Sequence, residues 1–394
     1  MKKIYILGTK INDLSLNEVI NQIKHHLNNN GEKGYIVTPN PEICLIGYKN
    51  KKFRRILKDS FISIPDGFGL KLAAPLWGNF LNNRTTGIDL TKQLLKFAGK
   101  NNYSVLLLGG KQKIGLKALK NINKKHPNLT IQYIDGGNFN QKGESDKLNL
   151  ISQINDLAPD IILVNLGAPK QEFFMAKNID KLNTKLMLGV GGSIDFIAGE
   201  IKRAPQIWRK IGLEWLWRLI QEPRRWPRII NAVIIFPLAC IYFRIHSQLF
   251  YRKNVAGFII NDDKKILVAK HANNNYWQLP QGGAKNSKSK QELQKAILRE
   301  MKQELGTDKF KVIKMLKNCY KYKWPKTDKD FDHFKGQKQT LFLLKFTGNN
   351  NDIKLDPREH NQWQWVNKNK ILNLVPDFKK NLIKIGLKNF KNYL

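Results

Sequence analysis

The stretch "LMLGVGGSIDFIAGEIKRAP", residues 186–205, decides how the first half of the chain is read. A short apolar run ends abruptly in small residues, and two chemically active side chains, Asp195 and Arg203, follow it. Three earlier runs have the same form: "YIVTPN" (35–40), "SVLLLGG" (104–110) and "DIILVNLG" (160–167). Between them, "TKQLLKFAGK" (91–100) and "DKLNLISQINDLAP" (146–159) carry helical patterning. Strand-like runs alternating with helices predict an α/β fold, a doubly wound parallel sheet. Such sheets bind ligands beyond the carboxyl ends of their strands. The polar residues just after each run are therefore the candidates: Thr38, Asn40 and Glu42 in "VTPNPE", Asp66 in "SIPDGFGL", Arg84 and Asp89 in "RTTGIDL", and Gln171 and Glu172 in "LGAPKQE". Taken singly, each also fits a turn or a helix cap.

A chain of 394 residues exceeds one ordinary core, so two domains are expected. The division predicted is 1–200 for the first core, 201–253 for an appendage and linker, and 254–394 for a second domain. The hydrophobic fraction of 42% is that of a globular protein. The formal net charge of +37 is spread over both halves. It favours polyanionic partners, namely nucleic acid, anionic lipid or nucleotide phosphates, although a Lys-rich composition explains part of it. Cys44, Cys240 and Cys319 lie far apart and form no CxxC, as expected of free thiols in a reducing cytoplasm. The N-terminal apolar run is too short for a signal peptide. The longest apolar run, "AVIIFPLACIYF" (232–243), has twelve residues and a proline. It falls short of the roughly 20 residues of a spanning helix and is expected to dip into a membrane surface rather than cross.

Residues 201–253 change character: four of the nine tryptophans (Trp208, Trp215, Trp217, Trp226) fall here among 11 Lys and Arg. With the strand-end set, "GVGGSIDFIAGEIKRAP" (189–205) and "GLEWLWRLIQEPRR" (212–225) resemble the WecB/TagA/CpsF glycosyltransferases, across roughly residues 1–245. The resemblance implies a Rossmann-like fold and transfer of an N-acetylmannosamine-type sugar from a UDP donor. The acceptor is a polyprenyl-diphosphate-linked sugar at the cytoplasmic face of the membrane, in cell-surface polysaccharide synthesis, and no metal is required. It makes Asp66 the base that takes the acceptor proton. Thr38, Asn40, Arg84, Asp89 and Gln171 become substrate-binding residues, and Asp195 helps hold the donor nucleotide. Arg218, Arg224, Arg225 and Arg228 supply the cations that the leaving diphosphate needs. The same Trp/Arg segment reads either as a helix packed on its own domain or as a peripheral anchor on an anionic membrane.

From Asn254 onward a different pattern begins. "VAGFIINDDKKILVAK" (255–270) reads as two strands around an Asp-Asp turn. "PQGGAKNSKSKQELQKAILREMKQELGT" (280–307) resembles the Nudix box, whose helix is Arg-Glu-x-x-Glu-Glu-x-Gly, and Arg299, Glu300, Glu304 and Gly306 match. Glu300 and Glu304 share a helix face and suit Mg²⁺ or Mn²⁺. Three departures stand out: Gln291 replaces the first glutamate, the loop after Gly282 is about three residues longer than the pattern, and Gln303 replaces one of the paired glutamates. "YWQLPQGG", "FKGQKQTLFLLKFTG" and "REHNQWQWV" are similar to RNA 5′-pyrophosphohydrolases and dinucleoside-polyphosphate hydrolases. That likeness implies an α/β/α sandwich, makes Glu359 a third carboxylate of the metal and catalytic set, and makes Lys338 a polyphosphate-binding residue. Three readings stay open: a glycosyltransferase fused to an active Nudix hydrolase, one fused to an inactive nucleotide- or RNA-binding Nudix domain, and a chiefly RNA-directed protein. Self-association is left open.

Overall fold

The computed structural model describes residues 3–28, 32–83, 85–272, 275–284, 287, 289–323 and 334–394. The chain forms two compact units, Met1–Arg244 and Ile245–Leu394.

In the first unit a hairpin of β1 (Lys3–Ile6) and β2 (Thr9–Asn12) and helix α1 (Leu16–Asn28) precede the main sheet. Strands β3 (Gly34–Val37), β4 (Ile62–Ser63), β5 (Val105–Leu108), β6 (Ile131–Ile134), β7 (Ile161–Val164) and β8 (Leu186–Gly189) pair in parallel in the order β4-β3-β8-β7-β5-β6. Helices α2 (Pro41–Lys49), α3 (Lys51–Asp59), α4 (Phe68–Ala73), α5 (Gly87–Lys100), α6 (Gln112–Lys125), α7 (Leu150–Leu157), α8 (Lys170–Asn178) and α9 (Ser193–Ala198) complete the double winding. The strands are apolar throughout because both faces are covered. Val105, Leu107, Ile161, Leu163, Leu186 and Leu188 point to one side, against Val19, Leu90, Leu94 and Ile122. Leu106, Leu108, Ile162, Val164 and Met187 point to the other, against Phe53, Leu57, Ile154 and Phe174. The two-residue alternation of side chains along each strand produces this split.

Beyond the sheet run α10 (Gln206–Lys210), α11 (Glu214–Gln221), α12 (Trp226–Ile230) and α13 (Phe236–Leu249). Here the structure extends the sequence reading, which counted only the twelve apolar residues 232–243 and so fell short of a spanning length. A π-helical turn, Asn231–Ile235, joins α12 to α13 directly ahead of Pro237. A wider turn accommodates a ring that has no N–H and crowds the preceding carbonyl. The helix therefore continues, and Pro223–His246 reaches the length and apolarity of a membrane span. Its two faces differ. Phe236, Cys240 and Phe243, at helical spacing, are buried with Ile4, Ile6, Cys44 and Leu70. Ile234, Leu238, Ile241 and Tyr242 are exposed. One side is thus committed to the core of the first unit and the other is not.

The second unit holds a mixed sheet built from β9 (Tyr251–Ile260), β10 (Ile266–His271), β11 (Trp277–Gln278), β12 (Gln281–Gly283), β13 (Phe310–Lys323), β14 (Gly336–Phe346) and β15 (His360–Val366). Strand β9 pairs parallel with β14 and antiparallel with β10 and β12. Helix α14 (Lys290–Leu305) covers one face, packing Leu293, Ile297 and Met301 on Val255, Ile259, Phe342 and Leu344. After the short α15 (Ile371–Leu374), α16 (Asp377–Asn389) covers the other, packing Leu382 and Ile383 on Phe258, Leu341 and Leu343. The result is an α/β/α sandwich. Helix α14 starts with a capping box between Ser289 and Glu292 and stops at Gly306, whose φ of 71° is left-handed.

Candidate functional site

In the first unit, the turns after β3, β4 and β8 meet at the start of α5. Residue 87 is glycine, and a Cβ there would stand 3.3 Å from Asp66 Oδ2, 3.5 Å from Ser193 Oγ and 3.6 Å from Thr38 Oγ1. Three polar side chains from separate strand ends thus converge where the absent side chain leaves room. Asp66 is placed by its backbone N–H, which donates to Pro39 O at 2.8 Å, and by Gly67, whose φ of 106° turns the chain. Thr38 is buried, and its hydroxyl reaches Gly189 O at 3.4 Å. Asn40 caps α2, with Oδ1 accepting from Ile43 N at 2.9 Å. Ser193 was not singled out in the sequence; it lay unremarked in the Gly-Gly-Ser turn.

Gln171 is buried and fully engaged. Its Nε2 donates to Glu172 Oε1 at 2.8 Å, and its Oε1 accepts from Gly191 N at 3.1 Å. Asp89 is engaged as well: Arg203 Nη1 and Nη2 reach its two oxygens at 2.6 and 2.7 Å, and Thr86 Oγ1 donates at 2.6 Å. Burial alone would raise the Asp89 carboxyl, but these bonds outweigh it and hold the group below its ordinary range. Asp89 and Arg203 thus tie α5 to the segment that follows α9. Arg84 lies outside the described residues.

The arginines divide. Arg218 stacks over Phe196 with 5.2 Å to the ring centroid and pairs with Glu222 through Nε at 3.0 Å. Its Nη2 is buried without a hydrogen-bond partner among the described residues, and a Cβ on Gly192 would come within 2.6 Å of it. That nitrogen faces the glycine turn after β8 with a donor to spare. Arg225 shares Glu222 at 2.9 Å. Burial raises the nearby Asp195 carboxyl, an effect that Arg218 and Arg225 oppose. Arg228 clasps Glu42 through Nε and Nη2 at 2.8–2.9 Å, which ties α12 to α2. Arg224 is exposed.

In the second unit, α14 and the strands around it carry the carboxylates. Glu304 is buried, and its Oε2 accepts from Gln281 N at 3.0 Å. Its carboxyl is pushed well above the ordinary range, by burial first and then by the charges of Glu359 and Glu300, with Lys379 opposing. The three predicted carboxylates thus feel one another. They do not, however, fit a divalent cation as they stand. Glu300 is occupied by Arg299 Nη2 at 2.6 Å and leans on Gly282. Residue 303 offers a neutral amide, and burial, with the charges of Glu359 and Glu300, pushes the Glu304 carboxyl up. Among the described residues no group of three or more ligating side chains is close enough to hold a metal ion. Lys338 stands on β14 with Lys253 of β9 and Lys321 of β13 directly beside it in register. Like charges side by side across strands repel, which an anionic ligand would relieve.

Comparison with known proteins agrees with this division. The description "Glycosyl transferase WecG/TagA/CpsF family" matches residues 4–248 and "NUDIX domain" matches residues 250–385. A Bacillus subtilis (strain 168) protein named N-acetylglucosaminyldiphosphoundecaprenol N-acetyl-beta-D-mannosaminyltransferase is 30% identical over 240 residues, 61% of this chain and 91% of that protein. A Staphylococcus aureus (strain MRSA252) protein of the same name is 30% identical over 237 residues, 59% of this chain and 90% of its own length. Among solved structures, the MutT protein of Methanosarcina mazei Go1 is similar at 20% identity, covering 36% of this chain and 96% of that one, with a TM-score of 0.28. A C. elegans Ap4A hydrolase binary complex is similar at 16% identity, covering 36% and 99%, with a TM-score of 0.28.

Proposed function

The chain belongs to the WecG/TagA/CpsF glycosyltransferase family and ends in a Nudix domain, and from that premise we propose that it transfers N-acetylmannosamine from a UDP donor to a polyprenyl-diphosphate-linked N-acetylglucosamine. The observation that carries this reading is the convergence of Asp66, Thr38 and Ser193 around Gly87, beside the guanidinium nitrogen of Arg218 at Gly192, which has no hydrogen-bond partner among the described residues. Asp66 takes the proton of the acceptor hydroxyl as that oxygen bonds to the anomeric carbon. The bond from the anomeric carbon to the UDP oxygen breaks, and its electron pair leaves with the diphosphate. Arg218 and Arg225 meet the charge that develops there. Thr38, Asn40 and Ser193 orient the reacting sugars. The test is Asp66→Asn. Turnover should fall by roughly 10²–10⁴ while UDP binding is kept, because a base acts in the chemical step. Unchanged turnover removes Asp66 from the role.

The lipid-linked acceptor implies work at a membrane, on its cytoplasmic face. Support comes from the exposed side of Pro223–His246, where Ile234, Leu238, Ile241 and Tyr242 lie in one helix with Trp226 and the basic Arg224. Its opposite side is packed into the core of the first unit, which favours lying on the surface over crossing.

For the Nudix domain, the neutral Gln303 and the tied Glu300 and Glu304 favour the second reading: a nucleoside-polyphosphate or RNA 5′-end binding module whose hydrolysis is weak or lost. The lysine row Lys253, Lys338 and Lys321 is the phosphate-facing element of this reading. Glu300, Glu304 and Glu359 are the residues that a restored Mg²⁺ site would use.

A further inference from the structure

Glu172 is fully buried in the first turn of α8, and among the described residues no cation faces it. Its Oε1 accepts from Gln171 Nε2 at 2.8 Å, and its Oε2 has no hydrogen-bond partner among the described residues. A buried acid without a counter-charge is a poor way to stabilise a core; it is retained where geometry needs it. Burial drives the carboxyl up to about 7, against the opposing pull of the Gln171 amide and of its own backbone N–H.

The Gln171 amide has two ends, and only one orientation suits this site. With Nε2 toward Glu172, Oε1 meets the Gly191 N–H at 3.1 Å. Turned over, the amide would set its NH₂ against that N–H, donor to donor, inside the protein. The next two residues of the same turn both serve the site. Gly192 faces Arg218 Nη2, and Ser193 Oγ belongs to the set around Asp66 and Thr38. Gly191 itself has a φ of 44° and Gly189 lies against the Gln171 amide; the turn is closed by Ser193 N, which donates to Val190 O at 3.0 Å, and the Gln171 amide is the side chain that holds its Gly191 N–H.

We propose that Glu172 is a positioning residue of the transferase, acting through Gln171 to lock the Gly191–Gly192–Ser193 turn in register with Asp66 and Arg218. The proposal rests on the transferase reading for its consequence in turnover, but not for its structural content. A turn displaced by a fraction of an ångström would misplace Ser193 and the Gly192 face together, and misplacement of that order is felt chiefly in kcat.

The test uses the full chain and two variants. Glu172→Gln keeps an oxygen for Gln171 Nε2, while Glu172→Met fills the same space without one. Glu172→Gln is expected to keep kcat within about twofold of the native chain, and Glu172→Met to lose about tenfold or more in kcat with a smaller change in the donor KM. In a Gln171→Leu background, Glu172→Met should have no further effect on kcat, because the link is already cut. Hydrogen–deuterium exchange of the peptide spanning residues 186–195 gives a readout independent of turnover: faster exchange in Glu172→Met, native protection in Glu172→Gln. Should Glu172→Met not fold, Glu172→Asp, which draws the carboxyl back from Gln171, is expected to show the same loss and the same faster exchange. Native kcat and native exchange in Glu172→Met or Glu172→Asp overturn the proposal, as does a Glu172→Gln variant as slow as Glu172→Met. A native chain that transfers no sugar overturns the transferase reading instead, and the exchange result then decides the positioning role alone.

Discussion

Replacing Glu172 by glutamine should change how stability depends on pH, by an amount that the burial of the side chain sets. In the folded chain its carboxyl stands at about 7, against an ordinary value of 4.5. The folded state therefore holds one proton more than the unfolded state between those values. Stability must fall as pH rises through that window and level off above about 7. The gap is worth about 3 kcal/mol, at 1.36 kcal/mol for each tenfold change in proton affinity. No solvent screening reduces it, because the side chain is completely buried. Among the described residues no charged neighbour contributes: burial is the leading cause, and the Gln171 amide and the local backbone oppose it. Glutamine does not ionise, so Glu172→Gln lacks this loss. Urea unfolding of the native chain and the variant across pH 4.5 to 8 measures the difference. The variant should gain about 3 kcal/mol relative to the native chain over that range, with the gain complete near pH 8. Parallel stability curves would show that Glu172 is solvated or ion-paired rather than a buried acid without a counter-charge.

Other perturbations probe the rest of the account. Arg218→Ala should lower kcat/KM for the UDP donor by about tenfold or more, since a charge-assisted bond to the leaving diphosphate is lost; steady-state kinetics with varied donor checks it. Ile234→Glu with Leu238→Glu alters only exposed positions of the long helix and should weaken co-sedimentation with anionic liposomes without lowering the melting temperature. Gln303→Glu should raise hydrolysis of diadenosine polyphosphates or triphosphorylated RNA in Mg²⁺ or Mn²⁺ above the native rate, because it restores a carboxylate beside Glu300 and Glu304.

The strand runs at 35–40, 104–110, 160–167 and 186–192 were legible because a strand covered on both faces must be apolar along its whole length and must end in small residues where a ligand approaches. The helices at 91–100 and 150–157 and the Asp262–Asp263 turn between β9 and β10 were legible for equally local reasons. What a linear reading could not show is which partners the candidate residues choose. Asp89 and Arg203 are 114 positions apart, as are no neighbours in sequence, yet they bind each other bidentately. Glu42 and Arg228 pair across 186 positions. Ser193 carried no signal beyond the glycines before it, since serine is an ordinary turn residue. The helix around Pro237 outruns its twelve-residue apolar stretch because Arg228 and Asn231 interrupt the apolar run without ending the helix, and the π turn ahead of the proline has no sequence signature of its own. In the Nudix domain the missing charge at Gln303 was visible in the sequence, whereas the burial of Glu304 and its bond from Gln281 needed the fold.

The most direct measurement supplies the purified chain with UDP-N-acetylmannosamine and a short-chain polyprenyl-diphosphate-N-acetylglucosamine. Released UDP and the mass of the lipid product are then followed for the native chain and Asp66→Asn. One UDP should be released for each acceptor extended by a single N-acetylhexosamine, with the reaction suppressed in Asp66→Asn. Failure of the native chain to extend that acceptor from any UDP-sugar, in the presence of a membrane surface, would contradict the transferase reading.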